Sequence, residues 1–392
     1  MEYNFDKVIN RKGTNSVKWE FMNDMFGTND LLPLWVADMD FECPKPVIEA
    51  IQKRATHGIF GYSSNDYEEY YISIMNWMKK RYNWEIEKDW IVHTPGVVPA
   101  LAICVQTFTN PGDQVIIQRP VYYPFTRVIV NNGRIISNNS LKYENNKYSI
   151  DYEDLERRAK DSTTKLMILC SPHNPVGRVW TKDELTKIGE ICLRNNVILV
   201  SDEIHGDLVH SGNKHIPFTS ISKDFEKNTI VCTALSKTFN LAGLNTSSII
   251  IANEELRANF KKTSEDRNAS PKPNPFGIVA TQAAYNHGEE WLEQVIEYIE
   301  DNMSYIDEFL KDKLTKVKMI KSEGTYLAWL DFSDLGLSKD ELWDIIVKKA
   351  KVGLDDGSIF GEEGIGFQRI NVGCPRSILE ECMNRIEKVL KE

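Results

Sequence analysis

Six short apolar runs, rich in β-branched residues, constrain this chain more than any other feature. They cover residues 90–93, 114–118, 165–170, 197–201, 229–233 and 247–252. A strand with one face in water alternates apolar and polar residues, whereas one covered on both faces stays apolar along its length. Between most of these runs lie stretches with helical spacing, such as 183–194, which Thr181 precedes as an N-cap. Buried strands alternating with helices specify an α/β fold with a largely parallel sheet between helical layers. One large domain is expected over residues 50–285. Beyond a proline-rich break at 271–275, a long helical stretch over 288–314 is expected to bridge to a smaller α+β domain. Its expected elements are a strand at 326–332, a helix at 339–350, a loop at 355–366, a strand at 367–372 and a final helix from Pro375. Residues 1–49 are expected to complete it, giving a small domain of 1–49 and 286–392.

Charge and cysteine usage narrow the function classes. The net charge of −10 argues against a nucleic-acid partner, which calls for basic surface. Seven cysteines are scattered without a CxxC pair, several in apolar runs, so reduced buried thiols are expected rather than disulfides or a metal site. Residues 1–12 lack the apolar core of a signal peptide, and no apolar run reaches transmembrane length. A cytoplasmic protein is expected.

Three strand ends carry candidate chemistry. Lys237, in Ser236-Lys237-Thr238-Phe239-Asn240-Leu241-Ala242-Gly243, stands just past the run 229–233. Taken alone it reads as a surface loop lysine. Desolvated, it would instead be a nucleophilic amine. Asp202 ends the run 197–201, where α/β folds bind ligands at the carboxyl ends of strands; a helix N-cap is the competing reading. Asn174 lies in Ser171-Pro172-His173-Asn174-Pro175-Val176-Gly177, after another buried run, and alone is ordinary turn chemistry. The three residues follow successive strands at intervals of 28 and 35 residues.

In that combination the chain resembles the fold-type I enzymes of the aminotransferase class I/II superfamily, which depend on pyridoxal 5′-phosphate (PLP). More narrowly it is similar to their MalY/PatB-type cystathionine β-lyase (C–S lyase) branch. The segments that carry this are Leu34-Trp35-Val36-Ala37-Asp38-Met39-Asp40-Phe41, the Asn174 turn continued by Arg178-Val179-Trp180, Ser201-Asp202-Glu203-Ile204-His205, and the Lys237 segment through Leu244.

The resemblance implies a mostly parallel seven-stranded sheet between helices. It implies Lys237 as the Schiff-base lysine and later the general base, with Asp202 on the pyridine nitrogen and Asn174 on the phenolate oxygen. Tyr122 matches the ring-stacking aromatic, Tyr123 being the competing choice, and His205 joins the cofactor contacts. Gly96, Val97 and Val98, at a helix start, and Ser236 match phosphate ligands. Tyr62 matches a tyrosine that reaches the neighbouring subunit's site, which implies a homodimer. Arg369 matches the arginine that grips the substrate α-carboxylate, a bidentate task that suits a guanidinium. One position departs from the pattern: many aminotransferases place a phosphate-binding arginine eight residues after the lysine, where this chain has Asn245. The branch implies a β-lyase that cleaves cystathionine, cystine or related cysteine S-conjugates to pyruvate, ammonia and a thiol. The alternative is an aminotransferase acting on an L-amino acid.

Overall fold

The computed structural model describes residues 2–64, 66–268 and 272–391, so Pro271 of the proline-rich break lies outside the described residues. Seven strands form the main sheet: β1 (Ile91–Thr94), β2 (Gln114–Ile117), β3 (Ile135–Asn138), β4 (Thr164–Cys170), β5 (Ile198–Asp202), β6 (Thr229–Thr233) and β7 (Ser247–Ile250), in the order β1-β7-β6-β5-β4-β2-β3. β7 runs antiparallel to both neighbours, and the other pairings are parallel. The sheet is therefore mixed but mostly parallel, as expected.

Its side chains explain the continuous apolar runs. Val115, Ile117, Leu166, Ile168 and Val200 enter one core, shared with Ala100, Leu101 and Cys104 of helix α1 (Val97–Phe108). The alternate residues Ile116, Met167, Leu169 and Leu199 enter a second core on the opposite face, shared with Leu185, Ile188 and Cys192 of α2 (Lys182–Arg194). The inner strands thus feed dry cores on both faces, and neither face can be polar. Helix α2 begins at a capping box in which Thr181 and Glu184 satisfy each other's backbone N–H groups.

An edge strand and a helix are among the elements that were not expected. β3 is an edge strand whose Ile135 is exposed and whose second half is polar, so it carries no buried-run signal. Helix α4 (Pro275–His287) follows the short α3 (Leu235–Thr238); it starts with Pro275 in its first turn and is capped by the Asn274 side chain. The expected bridge is α5 (Glu289–Lys313), whose buried stripe from Trp291 to Leu310 packs with Leu34, Met39, Tyr326 and Leu379 in a third core.

A second, antiparallel sheet holds β8 (Lys318–Met319), β9 (Leu327–Asp331), β10 (Asp355–Asp356) and β11 (Phe367–Asn371) in the order β8-β9-β11-β10. The expected loop 355–366 therefore opens with a strand. The expected helix 339–350 is α-helical over Lys339–Trp343 and π-helical over Asp344–Lys349. The last helix is α6 (Arg376–Lys391). The N-terminal segment joins this region: Leu32–Pro33 pairs with Val352–Gly353, and the Asn371 N–H donates to the Leu34 carbonyl at 2.9 Å. Among the described residues no helix is long and apolar enough to cross a membrane.

Candidate active site

The carboxyl ends of β4, β5 and β6 open onto one cavity of about 270 Å³. Asn174, Asp202 and Lys237 all line it, as do Gly96, Val97, Val98, Tyr122, His205, Ser236 and Asn245. The structure thus gathers nearly all the expected site residues. A second, more open cavity of about 680 Å³ meets the first at Ala37, Lys237 and Ala242.

Lys237 rides on α3, directly after β6. Thr238 beside it is tied to Asp207 by a 2.9 Å hydrogen bond, and Phe239 is locked among Trp77, Tyr285 and Trp291. The amine donates to the Ala37 carbonyl at 2.6 Å. Burial pulls its pKa down to about 8, although Asp38 and Asp202 favour the charged form. Far more of such an amine is neutral near physiological pH than of an ordinary lysine, which suits a nucleophile and a base.

Asp202 ends β5 and is buried. Burial pushes its carboxyl up to about 7, partly offset by the Ile204 N–H at 3.2 Å and by Lys237. A carboxylate in that state is poised to receive a buried cation. His205, three residues on, is buried with no partner for Nδ1 among the described residues, and burial pushes its pKa well below the usual histidine value. It is a neutral imidazole.

The Asn174 turn is held by its neighbours. Its N–H reaches Cys170 Sγ at 3.4 Å, and its carbonyl accepts the Tyr122 N–H at 3.0 Å. His173 supports the same corner, with Nε2 2.9 Å from the Pro120 carbonyl. Tyr122 lines the cavity, while Tyr123 packs outward toward Phe360.

Helix α1 begins at Gly96 with no side-chain cap among the described residues, and Gly96, Val97 and Val98 line the cavity. An uncapped N-terminus of a twelve-residue helix attracts an anion through its first N–H donors and the helix dipole. Asn245 lines the cavity beside Ser236, where a cationic side chain is absent. The residues present fit PLP: anion donors at one end, a buried carboxylate for a protonated ring nitrogen, and an amine able to condense with an aldehyde.

Two expected residues stand elsewhere. Tyr62 is fully exposed and does not line this chain's cavity. Arg369 is buried on β11, which lies between β9 and β10 rather than at a sheet edge. It does not line the cavity itself, but its Nη1 donates to Asn174 Oδ1 at 2.9 Å.

Two residues hold Ala37 in place through contacts that the sequence did not show. Tyr326 donates to the Ala37 carbonyl at 2.8 Å, and Asn371 Nδ2 bridges the flanking Val36 and Asp38 carbonyls at 2.6 Å each. Asn371 closes the motif Arg369-Ile370-Asn371, but nothing local shows what it spans.

Comparison with known proteins agrees with this geometry. The family model described as aminotransferase class I and II matches residues 29–386. Cystathionine β-lyase PatB of Bacillus subtilis (strain 168) is 47% identical over 387 residues, covering 99% of this chain and 100% of that protein. Cystalysin from Treponema denticola, whose crystal structure contains PLP, superimposes with a TM-score of 0.96 at 41% identity, covering 100% of this chain and 99% of that one. A PLP-bound protein of Clostridium difficile 630, classed as an aminotransferase, gives a TM-score of 0.97 at 47% identity, with 99% and 100% coverage. The chain belongs to the aminotransferase class I and II family.

Proposed function

We propose that this chain is a PLP-dependent carbon–sulfur β-lyase, converting cystathionine, cystine or a related cysteine S-conjugate and water to pyruvate, ammonia and a thiol. The observation that carries this reading is the 47% identity to a cystathionine β-lyase along essentially the whole of both chains. The cavity supplies the groups that such a reaction needs.

PLP, when bound, supplies an electron sink for the pair left behind as the substrate's α-proton departs. Lys237 holds the cofactor and, once free, takes that proton on Nζ; its lowered pKa keeps the amine available. Asp202 would hold the ring nitrogen protonated and so have its own buried charge compensated. Asn174 and His205 would hold the ring's polar groups, and Tyr122 would supply a stacking aromatic. Gly96, Val97, Val98 and Ser236 hold the phosphate through N–H and hydroxyl donors, with no arginine at position 245. Arg369, one hydrogen bond behind Asn174, receives the substrate α-carboxylate.

The active unit in this reading is a homodimer in which Tyr62 reaches the partner's phosphate site. Support comes from the exposed apolar segment that carries it: Ile59, Phe60, Tyr62 and Tyr67 all stand in water in the single chain. The division into 50–285 and 1–49 with 286–392 is part of the same reading, supported by the confinement of the main sheet to residues 91–250. All seven cysteines are free, which supports a reducing, cytoplasmic compartment.

The test is to incubate the holoenzyme with cystathionine, cystine and S-alkyl cysteines and to measure pyruvate, ammonia and thiol. Stoichiometric release of all three is expected. A keto acid formed only with an added amino acceptor, without thiol, would show an aminotransferase instead.

A further inference from the structure

The two terminal nitrogens of Arg369 are already engaged within the protein. β10 pairs with β11 so that Asp355 stands directly opposite Arg369, which puts both side chains on one face of the sheet. Each is 3% exposed. Arg369 Nη2 donates to Asp355 and, at 3.2 Å, to the Trp35 carbonyl; Nη1 donates to Asn174 at 2.9 Å. The guanidinium also lies 4.8 Å over the Phe360 ring. Both terminal nitrogens are thus engaged by the protein, one of them by a carboxylate.

We propose that Asp355 is an internal carboxylate that occupies Arg369 until the α-carboxylate of an amino-acid ligand displaces it. The inference rests on reading Arg369 as the carboxylate-binding residue. Asp355 thereby sets how strongly the site holds carboxylates and which ligands can open it.

Two further observations favour exchange over a fixed strut. Arg369 Nε is buried with no partner among the described residues. A buried N–H left unbonded is costly, and a ligand carboxylate arriving on that side would satisfy it. Burial, moreover, raises the Asp355 carboxyl above its ordinary range despite the arginine, so the carboxylate is held in a place that does not favour its charge.

The consequence is a measurable competition. A ligand that binds only the unmasked arginine has its apparent affinity reduced by the fraction of time the arginine is free. A site masked nine-tenths of the time binds about tenfold more weakly. A ligand with an amine but no carboxylate gains nothing from unmasking.

The test compares L-alanine with ethylamine as ligands of the holoenzyme, followed by calorimetry and by the absorbance of bound PLP. In Asp355→Asn the side chain keeps its size but loses its charge. L-alanine is expected to bind roughly tenfold more tightly than to the wild type, with ethylamine unchanged. Unchanged or weaker L-alanine binding overturns the proposal, as does an equal shift for both ligands. Arg369→Lys separates the two layers: if it leaves L-alanine binding unchanged, the reading of Arg369 itself fails and this proposal falls with it. Should Asp355→Asn not fold, a wild-type crystal structure with L-alanine decides. Asp355 is expected beyond hydrogen-bond distance from Arg369, and an intact pair beside bound L-alanine overturns the proposal.

Discussion

The two walls that meet at Lys237 are built on different principles. On one side Asn174, Asp202 and Lys237 follow β4, β5 and β6, and the main-chain ladder of the sheet sets their spacing. On the other side runs the segment 35–41, which has no helix or strand. There the backbone carbonyls are held by side chains from far along the chain. Trp35 accepts from Arg369, Val36 and Asp38 from Asn371, Ala37 from Lys237 and Tyr326, and Met39 and Phe41 from Asn240. Arg11 and Lys18 anchor the same segment through Asp38 and Asp40, Lys18 being fully buried against Asp40 at 2.5 Å. A wall made by a ladder tolerates side-chain changes outside its strands. A wall made of side-chain contacts transmits each such change to the Ala37 carbonyl, and so to Lys237.

The sheet side should give the largest effects, because in the proposed mechanism its residues act on the cofactor and substrate directly. Lys237→Ala removes both the anchor and the base. The visible absorbance of bound PLP should vanish and kcat should fall by at least ~10³, within the range that positioned proton transfer contributes. Retained absorbance would contradict the assignment of Lys237. Asp202 comes next, through a pH signature in the cofactor-free protein. Its carboxyl titrates near 7 when folded against an ordinary 3.8. Between those values the folded state holds more protons than the unfolded one, so stability falls as pH rises through that window. The full cost, roughly 4 kcal/mol on a scale of about 1.4 per pKa unit, stands above pH 7. Denaturant curves of wild type minus Asp202→Asn should therefore decline from pH 4 to pH 7 and then level. A flat difference would mean that Asp202 is not desolvated.

The same contrast explains what could be read in the sequence. Five of the seven main strands were placed within two residues at each end, because Val115 to Ile117 or Leu166 to Leu169 must be apolar on both faces. A sixth, β6, was placed with its exact bounds. β3 escaped because an edge strand with an exposed Ile135 has no such requirement. Asn174, Asp202 and Lys237 were legible only together, as polar residues that end or closely follow three successive buried runs and match one family's pattern. Asn240, Tyr326 and Asn371 were not. Their partners lie 201, 289 and 335 residues away, and an asparagine in a turn or strand looks the same whichever carbonyl it finds. Asp355 fell within an expected loop, and only its pairing opposite Arg369 reveals it.

The side-chain-built wall can be probed by two substitutions of unequal weight. Asn371→Ala withdraws the amide that bridges the Val36 and Asp38 carbonyls, and the Asn371 carboxamide oxygen that accepts the Gly373 N–H at 2.8 Å. Each buried group left unbonded costs about 1–3 kcal/mol. A stability loss of about 2 kcal/mol is expected, together with a fall in kcat larger than any change in KM, since the Ala37 carbonyl shifts relative to Lys237. Tyr326→Phe removes only the second donor to Ala37. That carbonyl keeps Lys237 at 2.6 Å, the hydroxyl leaves with its own need for a partner, and the ring still packs in the core. The expected loss is at most about 1 kcal/mol, the net worth of an ordinary hydrogen bond. Because the remaining bond favours the charged amine, the acidic limb of activity, where the base Lys237 becomes protonated, should move slightly to higher pH. If Tyr326→Phe instead matches Asn371→Ala in both stability and kcat, the wall is held by Tyr326 rather than by the asparagine bridge, and the contrast between bridging and single donors on this side of the site is lost.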